Sequence, residues 1–342
     1  MILLRIARAA RVGSNALSGW WNIMILHLPT PTRRTFLTSA AALAASAVLP
    51  FLRPGGAQAG GIPSKERSGA TSSAIAFDGD ALIVGGDRFT RHDSGGAPTP
   101  LPGPTGGNIL SLATQPGRPG RIVAGLTHGG VALSEEGGQS WKARNRGLPD
   151  APVTAVTVAS LSPDTLYAAV LGDGLWKSED AGRSWMFAMD RPWLADAERD
   201  LTALASVDLA TGMGGIWIYA GTEMGLTRVP DCFCRWQDVQ PGDAMDALVS
   251  GAAAAPEKPL PDGEPIHALV SAASLPTRLY AALPSGIWGS QDAGVVWAQR
   301  STFRAEAVAV HPEDADKVVA LTEDGLTETR DGGLFWTALA DL

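Results

Sequence analysis

Five segments of this 342-residue chain fall into one register: SEEGGQSW (134–141), SEDAGRSW (178–185), VPDCFCRW (229–236), SQDAGVVW (290–297) and TRDGGLFW (329–336). Each has an acid at its third position (Glu136, Asp180, Asp231, Asp292, Asp331) and a tryptophan at its eighth (Trp141, Trp185, Trp236, Trp297, Trp336). A glycine stands four residues ahead of each unit: Gly130, Gly174, Gly225, Gly286 and Gly325. A register kept five times over restricts the chain to a repeat architecture, in which each unit is one supersecondary element that needs its neighbours to bury its faces. RHDSGGAP (91–98) keeps Asp93 and Gly95 but lacks the tryptophan, as a worn sixth copy would.

Two strand-like runs precede each motif, such as VTAVTVAS then TLYAAVL, or LTALASV then IWIYAGT. A third (GLWKS, GLTRV, GIWGS) enters the motif and a fourth leaves from its tryptophan. The pattern predicts four antiparallel strands per repeat, rich in β-branched and aromatic residues and punctuated by Gly, Asp and Pro. Forty glycines and only 18% charged residues agree with many short strands and tight turns. The acids are spaced by 43, 44, 51, 61 and 39 residues from Asp93 to Asp331. A gap of 61 is too short for two repeats of about 40 residues each. The chain is therefore expected to be all-β, a propeller of six blades spanning 72–342, with seven blades as the alternative because residues 245–265 are not fully explained. Ring closure is expected to rest on packing, with help from residues 60–71.

The pattern S-x-D-x-G-x-x-W resembles the Asp box of the BNR-repeat β-propeller superfamily, which includes sialidases, sortilin-like domains and photosystem assembly factors. The resemblance covers most of residues 72–342 and is specific for fold, not for function. It gives the motif acids a structural role. The carboxylate can accept hydrogen bonds from its own turn, the glycine permits a positive φ, and the tryptophan packs on the neighbouring sheet.

The amino terminus reads as targeting sequence. Arg33 and Arg34 sit in TRRTFL, followed by an apolar run from Ala40 to Leu52 and by Ala57-Gln58-Ala59. This predicts a twin-arginine signal over 1–59, a linker over 60–71, and no stable transmembrane anchor once the signal is cleaved. Residues 1–23 are odd in front of such a signal, and Met24 offers an alternative start. Residues 1–59 contribute six arginines and no acid, which leaves 21 basic and 35 acidic residues and a net charge of −14. A surface this acidic excludes nucleic acid as a partner and favours a protein with a basic surface. The expected location is the periplasm or another exported compartment.

The residues that carry chemistry elsewhere are sparse here. Sialidases of the resembled superfamily use a tyrosine nucleophile, whereas the three tyrosines Tyr167, Tyr219 and Tyr280 all hold the same second-strand position. Repetition at one place marks packing residues. Asp190, Glu198 and Asp200 share a long connection and are the acids a glycosidase reading would select. His92, His128, His267 and His311 fall at unrelated repeat positions, so no metal site and no cofactor is expected. Cys232 and Cys234 replace turn residues of the third motif; a disulfide, free thiols, or metal or cofactor attachment are the readings open to them.

Connections from second to third strands, and from one blade to the next, open on the face opposite the motif turns. Both long insertions, Ala188–Arg199 and Pro241–Pro265, belong to that face. Its loops contribute Asp173, Glu223, Glu323 and Asp324, read as an acidic ring around the channel mouth, together with His128. Trp193 lies outside every repeat position and reads as an interface anchor. The expectation is an exported, non-catalytic scaffold or assembly factor for a periplasmic or membrane complex. The alternative is a glycan-binding or glycoside-hydrolase-like propeller.

Overall fold

A computed structural model describes residues 74–86, 88–94, 96–209, 215–239 and 258–339. The expected signal with Arg33 and Arg34, and the linker over 60–71, lie outside these. The described residues form strands, turns and loops without a helix.

The strands make six blade sheets in chain order and one two-stranded hairpin. Blade 1 holds β1 (Ala74–Asp78), β2 (Ala81–Gly85), β3 (Thr90–His92) and β4 (Thr99–Pro100). Blade 2 holds β5 (Ile109–Thr114), β6 (Ile122–Leu126), β7 (Val131–Ser134) and β8 (Lys142–Ala143). Blade 3 holds β9 (Val153–Val158), β10 (Leu166–Val170), β11 (Gly174–Ser178) and β12 (Met186–Met189). A hairpin of β13 (Trp193–Leu194) and β14 (Ala197–Glu198) follows. Blade 4 has β15 (Leu201–Asp208), β16 (Ile216–Thr222) and β17 (Gly225–Pro230), its fourth strand reduced to an Arg228–Gln237 bridge. Blade 5 holds β18 (Ala268–Ala272), β19 (Leu275–Leu283), β20 (Gly286–Ser290) and β21 (Trp297–Gln299). Blade 6 holds β22 (Ala307–Val310), β23 (Val318–Thr322), β24 (Gly325–Thr329) and β25 (Thr337–Ala338). All strand-to-strand pairings are antiparallel. The described residues make a six-bladed propeller without a seventh blade; within the long gap, Lys258 pairs in parallel with Val296 of blade 5, and residues 240–257 lie outside the described ones.

The first strand of each blade faces the axis, and these six pack neighbour on neighbour around it. Small side chains let them approach closely, and hydroxyls tie adjacent blades: Ser111 Oγ accepts from Val156 N (2.8 Å), and Thr154 and Thr202 donate to Leu201 O and Ile266 O (both 2.7 Å). The channel is left as two small cavities of about 140 and 90 Å³, lined mainly by Ala, Val, Leu, Ser and Thr.

Between blades, the motif tryptophans act as the repeat requires. Trp141, Trp185, Trp236, Trp297 and Trp336 each pack into one of five apolar clusters between successive blades. Four of the indole N–H groups reach back to a carbonyl just past the previous blade's outermost strand. Trp141 donates to Pro102 O (2.9 Å), Trp185 to Arg144 O (2.7 Å), Trp236 to Asp190 O (2.8 Å) and Trp336 to Arg300 O (3.1 Å). Trp297, only 1% exposed, donates to Gly294 O of its own turn instead. Each tryptophan thus joins apolar burial to a directed bond that fixes the angle between blades.

The turns follow a common plan with one departure. Ser178 Oγ accepts from the amides of Asp180 and Gly182, while Asp180 Oδ1 accepts from Ser184 N (2.8 Å). Ser290 with Asp292, and Thr329 with Asp331, repeat this. Glu136 is longer and accepts from the Ser140 hydroxyl. Asp231 departs from its expected role: its motif begins with Val229, which has no hydroxyl, and its carboxylate turns to the previous blade. There it accepts from Tyr167 OH (2.6 Å) and Lys177 Nζ (3.0 Å). Cys232 and Cys234, in the same turn, are paired, with Cα atoms 5.5 Å apart.

Among the described residues, ring closure between blades 6 and 1 uses packing and no exchanged strand. Ile75, Phe77 and Leu82 meet Ala307, Ala309, Val319 and Leu321. His311 bonds to Asp80 (3.0 Å) and meets the Phe77 ring edge-on, over which Lys317 lies at 5.2 Å.

Candidate functional site

The first insertion is an ordered hairpin, not a loose loop. Arg191 and Pro192 leave blade 3, Trp193 pairs with Glu198 and Leu194 with Ala197. The two residues between, Ala195 (φ 49°) and Asp196 (φ 61°), both take left-handed backbone conformations. Two positive φ angles give the tight turn whose twist matches a two-stranded ribbon, here without the usual glycine and so at some strain.

Polar contacts at its base hold the hairpin. Arg199 N donates to Pro192 O (2.9 Å) and Arg199 Nε to Leu194 O (3.3 Å). The Arg191 guanidinium bridges Glu198 (2.6 Å) and Asp200 (3.3 Å). Asp200 also accepts from Gly172 N (2.8 Å), joining the hairpin to the neighbouring second-to-third-strand loop of blade 3. Asp190, the third acid of this connection, lends its backbone carbonyl to Trp236. The outcome is a fixed platform on which Trp193 remains 68% exposed, beside a loop carrying the exposed Leu171 and Asp173. The Asp173 carboxylate accepts from the Trp176 indole (2.8 Å).

The structure brings Trp193, Asp173, Glu198 and Asp200 into one region and leaves the other sequence candidates apart. His128, Glu223, and Glu323 with Asp324 sit exposed on loops of blades 2, 4 and 6. Thr222 and Thr322 hydroxyls shape two of these loops by donating to Gly225 O and Gly325 O. None of these acids is among the residues lining the two channel cavities, but Glu323 and Asp324 share a cavity of about 570 Å³ with Glu306, which does line one of them. Loops between second and third strands lie one strand away from the axis, and the titratable groups at the mouth are His267 and Glu306, which precede first strands. The sequence signal for them was their place just ahead of an inner strand.

The tyrosines are fully buried and each hydroxyl crosses to the next blade: Tyr167 to Asp231, Tyr219 to Ala293 O and Tyr280 to Ala315 O (2.8 Å each for the latter two). Burial pushes all three phenols up, and the Asp231 carboxylate adds to this at Tyr167. An inaccessible phenol held protonated has no nucleophilic use. Asp208, at the end of β15, was not singled out from sequence; burial pushes its carboxyl up against the bonds it accepts from Leu161 and Ser160. Among the described residues no three His, Cys, Asp or Glu converge as a metal site would need.

The sequence matches no protein-family model and no curated protein sequence. Solved structures match it in fold. A GH74 enzyme from Niastella koreensis superposes with TM-score 0.53 at 17% identity, covering 78% of this chain and 45% of that one. The COPII outer coat vertex superposes with TM-score 0.54 at 7% identity over 80% of this chain and 70% of that one. YCF48 from Cyanidioschyzon merolae aligns at TM-score 0.46 and 14% identity, covering 75% and 81%. The chain spans about half the length of the GH74 structures it matches. Identities this low establish the propeller and nothing finer.

Proposed function

We propose that this protein is an exported propeller of the Asp-box type that serves as a protein-binding scaffold or assembly factor, docking a partner with a basic surface. The observation that carries the reading is Trp193: an exposed indole on a hairpin braced by Arg191, Arg199 and Asp200. Burying a large aromatic in water's place is what interface anchors do, and a pre-fixed platform lowers the entropy lost on docking. Asp173 and Glu198 set negative charge beside it, in keeping with the −14 net charge expected after signal removal. Export rests on the twin-arginine pattern at Arg33-Arg34 and the Ala57-Gln58-Ala59 cut; amino-terminal sequencing of the mature protein should begin at Gly60, and a chain starting before Arg33 refutes it.

Affinity capture from the host with the wild type and with Trp193→Ala tests the docking face. A central anchor contributes about 2 kcal/mol or more, so the partner's affinity should fall on the order of thirtyfold. A partner held equally well by both proteins defeats the assignment.

A second reading has one observation in its favour, an exposed aromatic next to the carboxylates of Glu198 and Asp200, the pairing a glycan subsite uses. Both carboxylates are bound to one guanidinium, which leaves neither placed as a free acid. Glycoside turnover lost in Glu198→Gln would reverse the ranking.

A further inference from the structure

Among the described residues, five of the six seams between blades hold an indole, and the seam between blades 6 and 1 does not. Where its tryptophan belongs, blade 1 has Pro98, at the eighth position of its worn motif. The rest of the receptor is intact. Arg144 N donates to Val131 O, Arg300 N to Ile287 O and Leu339 N to Leu326 O, at 2.8, 2.7 and 2.9 Å. Leu339 therefore holds the backbone place whose carbonyl, in blades 2 and 5, accepts the next blade's indole N–H. In front of it lies a cavity of about 400 Å³ floored by Phe77, Leu82, Val319, Leu326 and Leu339. The floor continues directly from the apolar cluster that closes the ring.

We infer that this slot is a second docking site, built to take a tryptophan side chain from a segment of a partner protein. The chemistry of the occupant is defined by the five sister seams: a flat aromatic body against aliphatic floor residues and one N–H aimed at a backbone carbonyl. Charge defines its flank. Asp80 and Asp93 stand at the rim with side chains 84% and 61% exposed, each bonded on one side, to His311 and Arg91, while Glu328 holds Arg330 and Lys317 lies over the Phe77 ring. A basic residue next to the tryptophan meets these carboxylates. The slot opens beside the motif turn of blade 1, on the face away from Trp193, so it stands or falls independently of that hairpin.

The probe is an amidated Lys-Trp-Lys peptide carrying 5-fluorotryptophan, followed by fluorine NMR against the full mature protein. A saturable shift is expected with the wild type, and at least tenfold weaker binding with Pro98→Trp, which supplies the missing indole from within the chain. Lys-Ala-Lys should not compete. A benzophenone at the indole position of the peptide gives a readout that needs no variant: cross-links should map to 80–98 and 317–339. The inference is overturned by no shift with the wild type, by equal binding to a folded Pro98→Trp protein, or by cross-links elsewhere. Self-association abolished by Pro98→Trp overturns it as well, because the occupant is then a second copy of this chain.

Discussion

Replacing Trp185 with alanine should open the seam between blades 2 and 3 and test whether the motif tryptophans fasten the ring. The side chain is almost fully buried among Val123, Val131, Leu133 and Val156, and its N–H is 2.7 Å from Arg144 O. Truncating a buried tryptophan to alanine costs about 3–5 kcal/mol, by lost burial and by the cavity left behind. Trp185→Phe separates the contributions: most of the apolar body stays, but Arg144 O loses its donor, at roughly 1–3 kcal/mol. Each kcal/mol moves the melting midpoint by roughly 2–4 °C in a domain of this size, so the alanine variant should melt about 10 °C lower and the phenylalanine variant a few degrees lower. Urea unfolding followed by circular dichroism gives the free energies, with Phe335→Ala as the reference because that ring is 78% exposed. Should Trp185→Ala cost no more than Phe335→Ala, the fastener reasoning is wrong.

Gly147 carries a φ of +98°, and a Cβ there would lie 2.4 Å from Trp185 O, so Gly147→Ala should destabilise by roughly 1–3 kcal/mol in the same urea assay. Tyr167→Phe and Asp231→Ala should show a coupling of roughly 0.5–3 kcal/mol in a double-mutant cycle, since they bond directly across blades 3 and 4. Acid should expose the turn carboxylates. Burial works to raise the Asp180 carboxyl, but bonds from the Ser184 hydroxyl and amide and from Ser178 bring it down to about 2, from 3.8. A carboxyl lowered on folding stabilises the fold above the unfolded value, and that contribution is lost as the pH falls from about 4 through about 2. Asp180→Asn should flatten the dependence of the unfolding midpoint on pH within that window; an unchanged slope refutes it.

The fold was legible because its repeats state one set of instructions five times, with a sixth copy worn. Glycines ahead of each motif, hydroxyl and acid within it, and tryptophan at its end each have a partner inside the same unit or the next. Departures arose where a unit broke its own pattern. Val229 cannot accept the amides that Ser178 or Ser290 accept, so Asp231 is released to Tyr167 and Lys177, 64 and 54 residues away, a pairing that spacing alone does not specify. The braced hairpin was hidden for a different reason: Ala195-Asp196 lacks the glycine that marks such a turn, and the bonds of Arg191 and Asp200 that hold it are set by tertiary geometry. The acids of the loops sit on the connections read for them, but their distance from the axis was not legible, since sequence orders strands along the chain without giving their radius.

Because no strand is exchanged at closure among the described residues, each blade there is a contiguous stretch of chain, and the last joint is made by residues as far apart as Asp80 and His311, 231 positions along the sequence. A nascent chain can stack blades 1 to 5 one after another as they emerge, yet remains an open arc with the flank of blade 1 bare until blade 6 has been made. Losing the sixth blade would leave two greasy ends instead of a ring, which makes the stretch from Ala307 to Ala338 decisive for solubility out of proportion to its length.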